Sequence, residues 1–377
     1  MKTTILFLAL LTLHFNLICE EKIERVKIGN AISPIKLSQK DFFVPKKIIL
    51  VIGDGVGFNH IKLARLFEGG PKFNTAVDRM PISGIVTNYS FDDLYTDSAA
   101  SGTAWATGVK TKNRFLGIDS AKQEIKNISE ILDDYHYHSG LVATSSVTHA
   151  SPAAHYAHID SRYKEEAIAT QLTESTIKIA LGGGRKFFRI KNTDKLQFYL
   201  DFKKLTSISD YEKKIIGLFA DSGINRGDGP TQLAMTKVAV KYLESSSDDC
   251  GRFFLMTEGS QIDWESHDNR VQPMLDEYQD FNNTINYLLG YASNRNDTLI
   301  VVTSDHETGG LNLLKQDQNE VIISWSTDRH TLAPIGVFAY GPGAEMFSGT
   351  FDHVDIFGKI IELADKTPSE SCDKHAE

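Results

Sequence analysis

The chain reads as an α/β protein, a three-layer sandwich with a largely parallel central sheet and helices on both faces. Three observations predict this. Seven short apolar runs, at 48–52, 140–144, 177–181, 215–219, 253–257, 299–303 and 335–340, lack polar alternation, so each reads as a strand covered on both sides. Stretches of helical period separate them, notably 230–243 and 274–289, and these supply the covering layers. Acidic residues directly follow three of the strands: Asp54, Glu258 and the pair Asp305-His306. Ligands of open α/β sheets bind outside that carboxyl edge.

In chain order, residues 1–19 come first. Lys2 precedes an apolar run from Ile5 to Leu13, which resumes at Leu17-Ile18-Cys19 and stops at Glu20-Glu21. A membrane span needs about 20 apolar residues, so this shorter pattern predicts a signal peptide and a secreted or periplasmic protein. Cys19 at the boundary leaves a lipid anchor as the alternative. Residues 20–44 read as an N-terminal arm. No Pro/Ser-rich linker, repeat or low-complexity stretch follows Pro45, so 20–377 reads as one domain, with 191–214 as a surface insertion. No later apolar run predicts a transmembrane span. Of the three cysteines, Cys250 and Cys372 lie beyond the leader; their pairing is open and not required, since a chain this long builds a core without staples. The net charge of −9 excludes a nucleic-acid-binding surface, which needs a basic face. An anionic substrate stays compatible, because bound cations can dominate a local field.

Within this frame, Tyr95-Thr96-Asp97-Ser98-Ala99-Ala100-Ser101-Gly102-Thr103-Ala104 places one serine at the start of a small-residue helix. Ser98 is the candidate nucleophile, and a serine hydroxyl needs a base, a metal or a helix N-terminus to become reactive. Asp263 and His267 are four residues apart and so share one face of a helix. That spacing suits two ligands of one metal; the plainer alternative is a solvated helix pair. A single carboxylate after a strand is ordinarily a turn former, but three of them with histidines nearby point to a shared task. His330, in Ser326-Thr327-Asp328-Arg329-His330-Thr331, would by itself be a loop histidine. His60, His155, His158 and His353 have no ligand spacing around them and read as structural or surface residues.

Five segments together are similar to the alkaline phosphatase family, in order and over roughly 47–357. They are Ile52-Gly53-Asp54-Gly55, the run from Thr96 to Gly108, Thr148-His149-Ala150-Ser151-Pro152-Ala153, Glu258-Gly259-Ser260-Gln261-Ile262-Asp263, and Thr303-Ser304-Asp305-His306-Glu307-Thr308-Gly309-Gly310. The chain looks most like the compact bacterial enzymes. The resemblance implies phosphate monoester hydrolysis through a covalent phosphoserine, with small-molecule phosphate monoesters as substrates and a homodimer as the assembly. It implies two zinc ions and one magnesium ion. One zinc would be held by Asp263, His267 and His330, and the other by Asp54, Asp305, His306 and the Ser98 oxygen. Magnesium would take Asp54, Ser151 and Glu258. Imidazole with carboxylate suits zinc, and an all-oxygen set suits magnesium. Arg162 matches the phosphate-binding arginine, whose fork can hold two oxygens at once.

Two positions depart from one version of the family. His149 stands where some members carry an aspartate near magnesium, which leaves zinc as a second occupant for the third site. Trp264 stands where some carry lysine or histidine near the phosphate. Both are expected beside the substrate. The alternatives are a phosphodiesterase of the same superfamily and a non-catalytic secreted phosphate- or metal-binding protein. Glu258 and Ser151 favour the monoesterase over the diesterase, and a sulfatase would need a Pro- and Arg-containing context that Ser98-Ala99-Ala100 lacks.

Overall fold

The computed structural model describes residues 22–31, 44–247 and 250–366. Its centre is a ten-stranded sheet. Across the sheet the strands are Gly349–Asp352, Ile82–Thr87, Ile335–Tyr340, Thr298–Thr303, Lys47–Gly53, Phe253–Gly259, His138–Ser146, Ile179–Gly183, Lys214–Leu218 and Leu196–Tyr199. Ile335–Tyr340 runs antiparallel to both neighbours, and the remaining pairings are parallel. The connection from Thr298–Thr303 to Ile335–Tyr340 contains short strands and no helix. An antiparallel neighbour needs no crossover helix, whereas a parallel one does.

The expected three-layer α/β sandwich is what forms. Along Lys47–Gly53, Ile49 and Val51 pack into one core while Ile48, Leu50 and Ile52 pack into the other. Helices Phe58–Gly69, Gln232–Ser246 and Val271–Ser293 cover the first face. Helices Ser98–Thr107, Ile128–Asp134, Glu165–Glu174 and His353–Asp365 cover the second. All seven apolar runs lie wholly or largely in strands of this sheet. Burying a Val, Ile or Leu side chain contributes about 1.5–3 kcal/mol, so strands buried on both faces anchor the fold.

Three sheet strands carry no such run. Ile82–Thr87 alternates partly buried with exposed positions, and Leu196–Tyr199 and Gly349–Asp352 are only four residues long at the two edges. The segment 191–214, expected as a surface insertion, therefore provides the edge strand Leu196–Tyr199, pairing in parallel with Lys214–Leu218. In the N-terminal arm, Lys22–Lys27 forms a strand antiparallel to Glu320–Trp325, which also pairs with Leu311–Asp317. Val26 from that strand joins the first core.

The expected leader, 1–19, lies outside the described residues, as do Cys19 and Cys372. Cys250 is buried and disulfide-bonded. Among the described residues no helix is long and apolar enough to cross a membrane.

Candidate active site

Four adjacent central strands bring the expected ligands to one edge. Ile52 sits opposite Glu258 on one side and Thr303 on the other, and Ala143 sits opposite Glu258. With neighbouring strands about 4.8 Å apart, Asp54, Glu258 and Asp305-His306 converge from sequence separations of up to 252 residues. Ser151 and His149 arrive from the loop and short helix Ala150–Ala153 that follow His138–Ser146. Gly55 lies at φ +78°, and a Cβ there would come within 2.9 Å of both the Asp263 Cα and the Thr308 hydroxyl. Only glycine fits that approach without strain.

Ser98 is the first residue of the helix Ser98–Thr107 and is 2% exposed. Asp97 caps this helix: its carboxylate accepts from the Ala100 N–H at 2.9 Å. The hydroxyl therefore sits at the positive end of a helix, where an anion is favoured.

Two groups of ligand atoms gather at this edge. Asp263, His267 and His330 place one atom each within 4.8 Å of one another, and so do Asp54, Asp263 and His306. His267 Nε2 lies 3.3 Å from Asp263 Oδ1 and 3.2 Å from His330 Nε2. His306 Nε2 lies 2.8 Å from Asp305 Oδ2. The opposite nitrogen of each ring is committed elsewhere. His267 Nδ1 meets the Asp328 carbonyl at 2.6 Å, His330 Nδ1 the Thr96 carbonyl at 2.9 Å, and His306 Nδ1 the Thr308 hydroxyl at 3.2 Å. Such partners orient imidazoles so that Nε2 can bind a metal.

The carboxylates follow the same pattern. Asp305 Oδ1 accepts from the N–H groups of Gly55 and His306, each at 3.0 Å, and Glu258 Oε2 accepts from the Ser260 hydroxyl at 2.6 Å. What remains, beyond the contact of His306 Nε2 with Asp305 Oδ2, has no hydrogen-bond partner: both Asp54 oxygens, Ser151 Oγ and Glu258 Oε1, all buried. Buried polar atoms left this way cost free energy unless something binds them. Protonation tells the same story. Burial and then Asp305 push Asp54 well above the usual carboxylate range, and burial pushes Glu258 up to about 7. For Asp305 burial acts upward, but His306, together with the neighbouring Asp54 and the hydrogen bond from the Gly55 N–H, outweighs it and holds the group low. Cations fit here: the atoms left without partners are oxygens, and imidazole Nε2 atoms stand beside them.

Arg162 faces the opening. Its Nη1 donates to Asp97 Oδ2 at 3.2 Å and its Nη2 to His149 Nε2 at 3.0 Å. A guanidinium can only donate, so His149 accepts as a neutral ring. Burial, with Arg162 adding to it, lowers His149 to about 3. His149 also meets Trp264 edge to face, with centroids 5.7 Å apart. Beneath that indole lies Gly223, where a Cβ would approach Trp264 to 2.5 Å. Ser98, Arg162, His149, Trp264, Asp263, His267 and His330 line one cavity of about 350 Å³.

All twelve expected site residues thus lie at this edge. Sequence reasoning gave no role to their supports: Asp97, which links helix cap and arginine; Thr308, whose hydroxyl donates to Asp263 Oδ1; and Glu307. Glu307 accepts from the Leu311 N–H at 3.2 Å and from the Thr331 hydroxyl, so it ties the turn after His306 to the strand of His330. The adjacency of Asp97 to Ser98 and of Glu307-Thr308 to His306 was the available signal. His60, His155, His158 and His353 stay outside the ligand groups. Their rings meet Ser266, the Ser151 carbonyl, Glu130 and the Ser304 carbonyl respectively.

The class that this arrangement fits is a hydrolase built around divalent cations. The alkaline phosphatase family model matches residues 45–201 and 192–322. Alkaline phosphatase 4 of Bacillus subtilis is 33% identical over 292 residues, covering 71% of this chain and 62% of that relative's length. The alkaline phosphatase of Escherichia coli is 30% identical over 400 residues, covering 83% of this chain and 84% of that one. The solved alkaline phosphatase from the Antarctic bacterium TAB5 superposes with a TM-score of 0.78 at 34% identity, covering 86% of this chain and 99% of its own. The chain belongs to the alkaline phosphatase family, and it is a phosphatase.

Proposed function

We propose that the protein hydrolyses phosphate monoesters through a covalent phosphoserine on Ser98, with two zinc ions and one magnesium ion as cofactors. The observation that carries this is the set of buried atoms without partners on Asp54, Ser151 and Glu258, beside the ligand groups of Asp263, His267, His306 and His330 and a nucleophile at a helix start. Asp263, His267 and His330 would hold one zinc, and Asp54, Asp305 and His306 the other. Asp54, Ser151 and Glu258 form the all-oxygen set for magnesium, with zinc as the alternative occupant. When bound, these ions supply the Lewis-acid charge that lowers the pKa of a hydroxyl and offsets the charge of a leaving alkoxide.

The chain's own groups do the rest. The helix N-terminus draws the phosphoryl group toward Ser98. Arg162, braced by Asp97 and His149, offers its fork to two non-bridging oxygens. Ser98 Oγ attacks phosphorus in line and loses its proton as the bond from phosphorus to the alcohol oxygen breaks; the alcohol leaves with a proton. Water then attacks the phosphoserine, the bond between Oγ and phosphorus breaks, and Ser98 regains a proton as phosphate departs. Trp264 walls the opening.

A Ser98→Ala protein is expected to lose at least about a thousandfold in kcat while keeping its zinc content. Retention of most turnover would refute the covalent route. p-Nitrophenyl phosphate against its bis ester, with and without chelator, separates the monoesterase from a diesterase or a binding protein. Export and a homodimer belong to this proposal as well, checked by the intact mass of the mature N-terminus and by sedimentation.

A further inference from the structure

The outer part of the 350 Å³ cavity is lined by Tyr95, Asn113, Arg114 and Tyr163, none of which the reaction above uses. Arg114 has an unusual backbone, with φ at +76°. That left-handed conformation is strained for a residue with a Cβ, and glycine would adopt it without the strain. It is held from both sides. The Arg114 N–H lies 3.1 Å from each Asp97 carboxylate oxygen, and the Arg114 carbonyl accepts from the Arg162 N–H at 2.8 Å. The backbone of Arg114 is therefore clamped between the cap of the nucleophile helix and the phosphate-facing arginine. Lys122, His136, Asn269 and Gln318 also have positive φ, but of the five only Arg114 lines this cavity, and strain held at such a place motivates a functional hypothesis.

The side chain adds a second observation. Arg114 is exposed, and among the described residues its guanidinium forms no ion pair. It faces the Tyr163 ring at 5.9 Å from the centroid, within the roughly 6 Å reach of a cation–π contact. Tyr163 is itself 71% exposed and follows Arg162 in sequence. A flat ring and a cation without a carboxylate partner among the described residues thus stand at the mouth of the cavity that Ser98 and Arg162 also line, on a chain whose net charge is −9.

We propose that Arg114 and Tyr163 form a subsite for the alcohol half of the substrate, selecting nucleotides whose nucleoside carries a second phosphate group. Tyr163 stacks on the base, and Arg114 pairs with the phosphate that is not being transferred. The proposal rests on the phosphatase reading above. It narrows that reading, because the reaction by itself places no demand on the alcohol.

The test compares kcat/KM for adenosine 3′,5′-bisphosphate with that for glycerol 2-phosphate in the metal-loaded protein. In Arg114→Gly, which removes the charge and the backbone strain together, the ratio of the two constants is expected to fall about fivefold, the scale of an exposed ion pair. In Tyr163→Ala it is expected to fall about threefold, the scale of an exposed ring contact. Added salt should lower the ratio in the wild type and in Arg114→Lys, and leave it flat in Arg114→Gly. An unchanged ratio in both variants overturns the subsite. An equal loss on both substrates overturns it as well, and assigns Arg114 to holding Asp97 and Arg162 in place. Absence of glycerol 2-phosphate turnover in the wild type would instead overturn the phosphatase reading.

Discussion

Stripping the metals is expected to destabilise this fold more at pH 8 than at pH 5. Asp54, Glu258 and Asp305 are fully buried and Asp263 is 5% exposed, so four carboxylates share one small volume. Without cations, burial pushes Glu258 from its ordinary 4.5 up to about 7, and Asp54 shifts in the same direction. The native state then keeps the Glu258 proton up to about pH 7, whereas the unfolded chain releases it near 4.5. In that window Glu258 adds a proton to the native state, so its own contribution to stability falls as pH rises and is lost in full above about pH 7. His60, His149, His155, His330 and His353, all held low by burial, contribute the opposite slope up to about pH 6.5. At 1.36 kcal/mol per pH unit the window is worth about 3 kcal/mol. With an unfolding entropy near 2.1 cal/mol/K per residue, a chain of this length loses about 4 °C in Tm. Cations offset the charge, so the loaded protein should not show this slope. The assay is thermal unfolding by circular dichroism from pH 5 to pH 9, comparing chelator-treated and zinc- and magnesium-loaded protein. Glu258→Gln is the control: its amide carries no such proton, the histidines act alike in both proteins, and its chelated form should gain in Tm relative to the chelated wild type as pH rises from 5 to 8. A chelated wild type and a chelated Glu258→Gln protein whose Tm values change in parallel between pH 5 and pH 8 would refute the reasoning.

Two other outcomes are expected. Thr308→Val deletes the hydroxyl that bridges Asp263 and His306 Nδ1; a support of this kind is worth about 10–100-fold in metal affinity, read by competition with a coloured zinc chelator. At His158, burial acts downward, but Glu130, 3.2 Å away, and the Gly117 carbonyl outweigh it and raise the pKa. That stability is present in full below about pH 6.5 and is lost as pH rises through the raised value. His158→Gln should therefore be less stable than the wild type by under about 1 kcal/mol at pH 6, with the gap closing toward pH 8 in urea unfolding curves.

Much of the sheet was legible because its central strands are buried on both faces and so read as unbroken apolar runs. Ile82–Thr87, Leu196–Tyr199 and Gly349–Asp352 were not legible: lying at or near the sheet's edges, they need only partial burial and leave a weak pattern. The same limit made 191–214 look like an insertion. At the site, residue types announced the chemistry. Asp263 and His267 disclosed a shared helix face by their spacing, and Asp54, Glu258 and Asp305 a shared edge by following strands.

By itself the sequence determined which residues carry donor atoms, which runs become strands, and that Ser98 opens a helix, because these properties depend on residue chemistry and local period. Which strands are neighbours was decided only by tertiary structure. Placing Lys47–Gly53 between Phe253–Gly259 and Thr298–Thr303 sets Asp54, Glu258 and Asp305 a strand spacing apart, and packing alone turned Arg114 and Tyr163 toward the cavity that holds Ser98. Contacts between residues hundreds of positions apart leave no periodic trace along a chain, since they are fixed by burial shared between elements.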